Sequence, residues 1–141
     1  MAVAPSSCVE LTCRSLLEAV EREAGALGLE SHRQNFSVSP PLGGDLVQGV
    51  NLYATLPAHR SAGMEALVLH VALEGGACNP VHSAAFALGM AKFFKSKVTW
   101  SKDIILLFTT SGVAGPQAWI QSYLGISNPG LTQHVKSVEL S

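Results

Sequence analysis

The sequence predicts an α/β fold, a three-layer α/β/α sandwich around a mixed β-sheet. Three observations predict it. Helical periodicity and short apolar runs alternate in the order helix, extended segment, strand, strand, helix, strand, helix, strand. Two of the runs, 66–73 and 104–110, lack polar alternation, as strands covered on both faces do. A strand–helix–strand crossover is normally parallel and right-handed, which places helices against the sheet.

Each element has a local cause. Over residues 8–27, Leu16, Leu17, Val20, Ala24 and Leu27 recur at helical spacing, with Glu10, Glu18, Glu21, Arg22 and Glu23 on other faces. Ser7 is expected as N-cap with Glu10 as its capping-box partner, residues 1–7 as a flexible N-terminus, and Gly28 as the C-terminal stop. Residues 29–39 read as extended, and Pro40-Pro41 with Gly43-Gly44 ends them. Residues 47–56 alternate as a strand. Because their connection to the 66–73 strand is short, the two are expected to form an antiparallel pair.

A tight turn over 74–78 leads into a helix, with Asn79 as cap and Pro80 in the first turn. Val81, Ala84, Ala85, Leu88 and Ala91 are expected as its buried face, widened by Phe86, Met90 and Phe93. Lys92, Lys95 and Lys97 suit its C-terminal dipole. After the 104–110 strand, residues 111–115 turn into a helix whose apolar side is expected from Trp119, Ile120, Tyr123 and Leu124, ended by Gly125. Residues 134–140 read as a further strand. A chain that stops on a strand of this kind is expected to be truncated at the C-terminus, so residues 1–141 form a single partial domain.

Composition excludes several function classes. The chain has 141 residues, 48% hydrophobic and 13% charged, which is enough for one domain and too apolar for a disordered tail. A net charge of -1 offers no bulk attraction to nucleic acid. Cys8, Cys13 and Cys78 are too few and badly spaced for a disulfide framework or structural zinc. There is no signal-peptide pattern and no run of about 20 apolar residues.

Ligands in open α/β sheets bind beyond the carboxyl ends of the strands. Here those loops are 73–82 and 109–115. They offer Glu74, Cys78, Asn79 and His82 on one side, and Thr109, Thr110 and Ser111 on the other. A metal hydrolase needs several His, Asp or Glu ligands and a base; one carboxylate and one histidine fall short. Residues 112–115 lack the spacing of a phosphate loop, and no G-x-S-x-G surrounds Ser111. Cys78 and His82 stand four apart, the spacing of a thiol–base pair, against the simpler reading of a buried thiol. Asn35-Phe36-Ser37 matches an N-glycosylation sequon. Trp100 and Trp119 are candidates for a partner surface or the core.

Residues 46–124 resemble the GPI-anchor attachment protein 1 family, the aminopeptidase-like lumenal subunit of the GPI transamidase. The segments that carry the likeness are 49–56 (GVNLYATL), 65–69 (EALVL), 83–94 (SAAFALGMAKFF), 98–105 (VTWSKDII) and 115–123 (GPQAWIQSY). Residues 28–30 (GLE), 34–37 (QNFS) and 138–141 (VELS) are similar to flanking parts of the same family. The resemblance implies a fold similar to the two-zinc aminopeptidases. Those enzymes carry a His-x-Asp at positions falling near Ala72 and Glu74, a bridging Asp near Cys78 or Asn79, and a Glu-Glu pair near Thr109 and Thr110. In this chain nearly all of these are replaced, so the resemblance implies a relic pocket of Glu74, Cys78, Asn79, His82, Thr109 and Thr110, with no metal or other cofactor and no catalytic residue.

The same resemblance implies a place in the endoplasmic reticulum membrane with this domain in the lumen. It implies as partners the cysteine-protease-like catalytic subunit, other transamidase subunits, the GPI lipid and the substrate proprotein. Two alternatives stand beside this reading. One is a zinc-dependent aminopeptidase or peptide-synthesising enzyme with remodelled ligands; the other is a stand-alone interaction domain.

Overall fold

A computed structural model of the chain describes residues 4–39, 43–58, 65–74, 80–97 and 101–125, with side chains from residue 14 onward. Within them the order is α1 (Ala4–Ala26), β1 (Glu30–Val38), β2 (Val47–Leu56), β3 (Ala66–Ala72), α2 (Pro80–Lys95), β4 (Asp103–Thr109) and α3 (Ala114–Tyr123). The expected strand at 134–140, and Cys78, Asn79 and Trp100, lie outside the described residues.

Helix α1 begins at Ala4, so Ser7 falls inside it and does not cap it. Its end is specified by sequence. Gly28 adopts φ 76, the left-handed conformation a glycine takes without strain. Leu29 N–H then donates to Ala24 O, and Gly28 N–H to Gly25 O. These two bonds make a Schellman cap, and buried Leu29 and Ala24 supply its apolar contact. The Lys95 ammonium of α2 donates to the carbonyl of Leu27 in the same turn. The turn folds β1 back beneath α1, where the Arg33 guanidinium pairs with Glu21.

The strand order is β1-β2-β4-β3. β1 pairs antiparallel with β2, with Gln34 opposite Asn51 and Phe36 opposite Gly49. β2 pairs antiparallel with β4, and β4 pairs parallel with β3. The sheet is therefore mixed, and the β3–α2–β4 crossover is parallel as expected. The expected β2–β3 pair does not form, because β4 lies between them. β4 pairs with β3 along its whole length and with β2 over Ile104–Phe108, so it uses both of its flanks.

Helices α1 and α2 pack on one face over Leu52, Ala54, Leu56, Ile104, Leu106 and Phe108. α3 packs on the other, with Trp119 against Tyr53, Ile105 and Leu107, and Ala114 and Ala118 against Phe36 and Val38. Three layers result. All seven residues of β4 are buried, as its unbroken apolar run predicts. β3 departs from the same expectation: Leu67 and Val68 are exposed. It ends the described sheet, and among the described residues the main strand contacts of α3 are with β1 and β2, with Ala66 of β3 at the margin of the Trp119 cluster.

Two helices bury only part of the face expected: Ala84, Leu88 and Ala91 of α2 and Trp119 and Tyr123 of α3 pack inward as expected, and the rest differ. On α2 the buried residues are Ala84, Ala87 and Ala91, with Leu88 and Phe94 packed beside them, while Val81, Phe86 and Phe93 are exposed. On α3 they are Ala114, Gly115, Ala118, Trp119 and Ser122, while Ile120 and Leu124 are exposed. The cause is shared. Small residues let a helix axis lie close to the sheet, and the larger side chains are then displaced outward. Trp119 is core: its ring meets Tyr53 edge-on at 6.1 Å and stacks on Tyr123 at 5.0 Å.

Candidate functional site: the carboxyl ends of β3 and β4

The parallel pair β3–β4 ends both strands at the same rim of the sheet, with Ala72 opposite Thr109. One further ladder bond, Leu73 N–H to Thr109 O at 2.9 Å, carries the pairing to the base of the next loop. Among the described residues this brings Glu74, Thr109 and Thr110 to the same rim of the sheet. His82 is exposed in the first turn of α2. Cys78 and Asn79 are outside the described residues.

Each of the three groups at the rim has an intramolecular partner. Thr109 is buried, and its hydroxyl lies 2.7 Å from His70 Nε2. Thr110 turns its hydroxyl to β2, accepting from Val50 N–H at 3.0 Å and donating to Val50 O at 2.9 Å. It thereby completes the ladder where β4 leaves the sheet. The Glu74 carboxylate accepts from Gly112 N–H at 3.1 Å, so an acid at the exit of β3 holds the turn that leads into α3.

That turn has unusual geometry. Ser111 has φ 64, a left-handed conformation rare for a residue with a Cβ, and Gly112 follows with φ 59. The Ser111 hydroxyl donates to Gln48 O at 2.8 Å, offsetting the cost of the backbone. Gly49 makes room for it. A Cβ there would stand 2.4 Å from Ser111 Oγ and 2.6 Å from the Phe36 ring. The first turn of α3 is held equally closely. Asn51 donates its amide to Gly115 O at 2.8 Å and to Gln34 Oε1 at 2.9 Å, and Gln34 donates to Ala118 O at 3.2 Å.

His70 was not among the expected site residues. The only signal in the sequence is one imidazole in an otherwise apolar strand. Partial desolvation beside Thr109 lowers its pKa from the ordinary 6.5, although the residue as a whole is still exposed on β3, so the effect is small. The folded chain therefore resists protonating His70, while the unfolded chain accepts a proton near its ordinary value. Stability from this group is complete above about pH 7 and falls as the pH drops through about 6.5 toward the lower folded value. Thermal melts should show a lower midpoint at pH 5 than at pH 7.5. His70→Gln should shrink that difference, and an unchanged difference in the variant would rule the imidazole out.

The rim can accept and donate neutral hydrogen bonds. Among the described residues no three His, Cys, Asp or Glu side chains are placed to hold a metal ion together. At the rim, neutral hydroxyls committed elsewhere stand beside one carboxylate, a poor donor set for zinc.

The family model described as "Gaa1-like, GPI transamidase component" matches residues 48–141. The GPI transamidase component gaa1 of Schizosaccharomyces pombe is 32% identical over 117 residues, covering 82% of this chain and 20% of that protein. The Saccharomyces cerevisiae GPI transamidase component GAA1 is 33% identical over 76 residues, covering 53% of this chain and 12% of that protein. The chain thus spans about a fifth or less of these relatives. Among solved structures, a glutaminyl cyclase from Porphyromonas gingivalis superposes with TM-score 0.50 at 12% identity, covering 78% of this chain and 44% of that one. That likeness is one of fold, an α/β fold of the zinc-aminopeptidase type.

Proposed function

The chain belongs to the Gaa1-like family of GPI transamidase components, and from that premise we propose that it forms part of a lumenal domain of such a component in the endoplasmic reticulum membrane. There it binds GPI or the substrate proprotein and supports the complex, while the transfer is catalysed by the cysteine-protease-like subunit. The observation that carries the non-catalytic reading is the commitment of the rim. Thr109 and Thr110 occupy the end of β4 where the two-zinc fold needs acids, and both hydroxyls are engaged by His70 and by Val50. The residues present do not fit the zinc pair that the fold would otherwise suggest, so no step is routed through a metal.

A scaffold needs a surface for its neighbours. Phe86 and Phe93 stand seven residues apart on the side of α2 away from Ala84, Ala87 and Ala91, and they are 69% and 57% exposed. Two exposed phenylalanines about two helical turns apart make an apolar stripe of the kind that marks contact with another protein surface.

The test is purification of the tagged full-length protein from detergent-solubilised endoplasmic reticulum, followed by mass spectrometry and metal analysis. Other transamidase subunits should co-purify, and Phe86→Asp with Phe93→Asp should reduce their recovery at least severalfold. Absence of every other subunit from the wild-type preparation would end the proposal. Stoichiometric zinc, lost on replacing Glu74 and His82, would favour the remodelled-enzyme alternative.

A further inference from the structure

We propose that Asn35 carries an N-linked glycan. The inference rests on the lumenal reading above and adds to it a modification site on a defined face of the fold.

The sequence contains a single N-x-S/T sequon without proline, at Asn35-Phe36-Ser37. Such a match often arises by chance, so its place in the fold decides its weight. Asn35 lies in the middle of β1, which is an edge strand of the described sheet. Side chains alternate along a strand, so Asn35 and Ser37 share one face, and Gln34, Phe36 and Val38 share the other. The burial pattern follows this division. Gln34, Phe36 and Val38 are buried beneath α3, whereas Asn35 is exposed and Ser37 half-exposed. The sequon thus turns its two reactive residues to solvent and its apolar middle residue into the core. Asn35 shares its face with Arg33, which pairs with Glu21 of α1, yet it remains exposed beside that helix, so a sugar there leaves Gln34, Phe36 and Val38 packed under α3. Had the register been shifted by one residue, Asn35 would be buried and the modified chain could not close its sheet.

The chemistry needs a lipid-pyrophosphate-linked oligosaccharide donor and a transferase of the secretory lumen. The Asn35 Nδ2 attacks the anomeric carbon of the first sugar. The new N–C bond forms as the C–O bond to the pyrophosphate breaks. The lipid pyrophosphate leaves with the electron pair, and the amide gives up one proton. The product places a bulky hydrophilic group on the β1 edge, a device that discourages strand-to-strand association there. The Phe86 and Phe93 stripe lies on α2, which packs over β3 and β4, away from that edge.

The experiment expresses the full-length protein in cultured eukaryotic cells and reads its mobility before and after peptide:N-glycosidase F. Asn35→Gln and Ser37→Ala serve as independent losses of the sequon. A reporter variant adds Gly43→Asn and Asp45→Thr to Asn35→Gln. Gly43 and Asp45 are exposed, and Gly43 has φ 85, which asparagine tolerates. The expected result is an enzyme-sensitive shift in the wild type, lost in both sequon variants and restored in the reporter. If the wild type does not shift while the reporter does, the domain is lumenal and Asn35 is not modified, so the glycan proposal fails alone. If neither shifts, the lumenal placement fails and the glycan fails with it. A wild-type shift that persists in both sequon variants also overturns the assignment.

Discussion

Asn51→Ala is expected to destabilise the chain by about 2–4 kcal/mol. Asn51 is fully buried, and its amide is the donor to both Gln34 Oε1 and Gly115 O. Alanine removes that donor, leaves Gln34 Oε1 buried without it beside a cavity, at about 1–3 kcal/mol for the unpaired group, and takes from Gly115 O the bond it accepts in addition to its place in the helix. Part of the loss is offset. Asn51 Oδ1 is itself buried without a partner, and its removal relieves one desolvated acceptor. Urea unfolding should show a lower midpoint with an unchanged slope. Asn51→Asp should be worse at neutral pH, since a carboxylate cannot donate to either acceptor and brings an unpaired charge inside. A midpoint shift equivalent to less than about 0.5 kcal/mol in the alanine variant would mean the network does not hold α3 to the sheet.

Gly115→Ala is expected to cost about 2 kcal/mol, against the usual preference for alanine within a helix. A Cβ at Gly115 would lie 2.3 Å from Thr110 O and 2.9 Å from Thr109 Cβ. The obstruction is backbone, which cannot rotate aside as a side chain tip can. The start of α3 must therefore lift from the end of β4, an overpacking cost of about 1–3 kcal/mol or more, set against about 1 kcal/mol gained in helix propensity. Gly89→Ala is the matched control. It sits exposed in α2 with nothing within 4 Å of its would-be Cβ. It should stabilise by about 0.5–1 kcal/mol. Changes of the same sign at the two glycines would contradict the close approach of α3.

The positions of the helices and strands were legible because periodicity is a local property. Gly28 after 8–27, the alternation of 47–56 and the unbroken run into Phe108 each specify an element within a few residues. Pairing was not legible in the same way. The short link between β2 and β3 suggested neighbours, but nothing in either strand reports that β4 will come between them. Helix faces were legible in part, since Ala84, Ala91 and Trp119 were expected inside, and the bulky flanks were misplaced for a physical reason. Hydropathy ranks Phe86 and Phe93 above Ala84, Ala87 and Ala91, whereas the sheet surface selects for size as well. The site was half visible. Glu74, Thr109 and Thr110 follow from the rule that loops after parallel strands converge. His70 was hidden inside an apolar run, and the hold of Asn51 on Gly115 joins residues 64 apart in sequence, a separation no local pattern encodes.

The position of β4 has a consequence for how the protein is made. It is the last of the four described strands to be synthesised, yet it is the one both β2 and β3 depend on. The hairpin of β1 and β2 can form as soon as it emerges. β3 must then wait for more than thirty further residues, through α2, before its ladder partner exists. Assembly is thus governed by distant contacts and is expected to be slow relative to a fold of this size built from neighbours. A nascent chain stalled before Thr109 would present the inner flank of β2 and the whole of β3 unpartnered, the stage at which chaperone protection matters most.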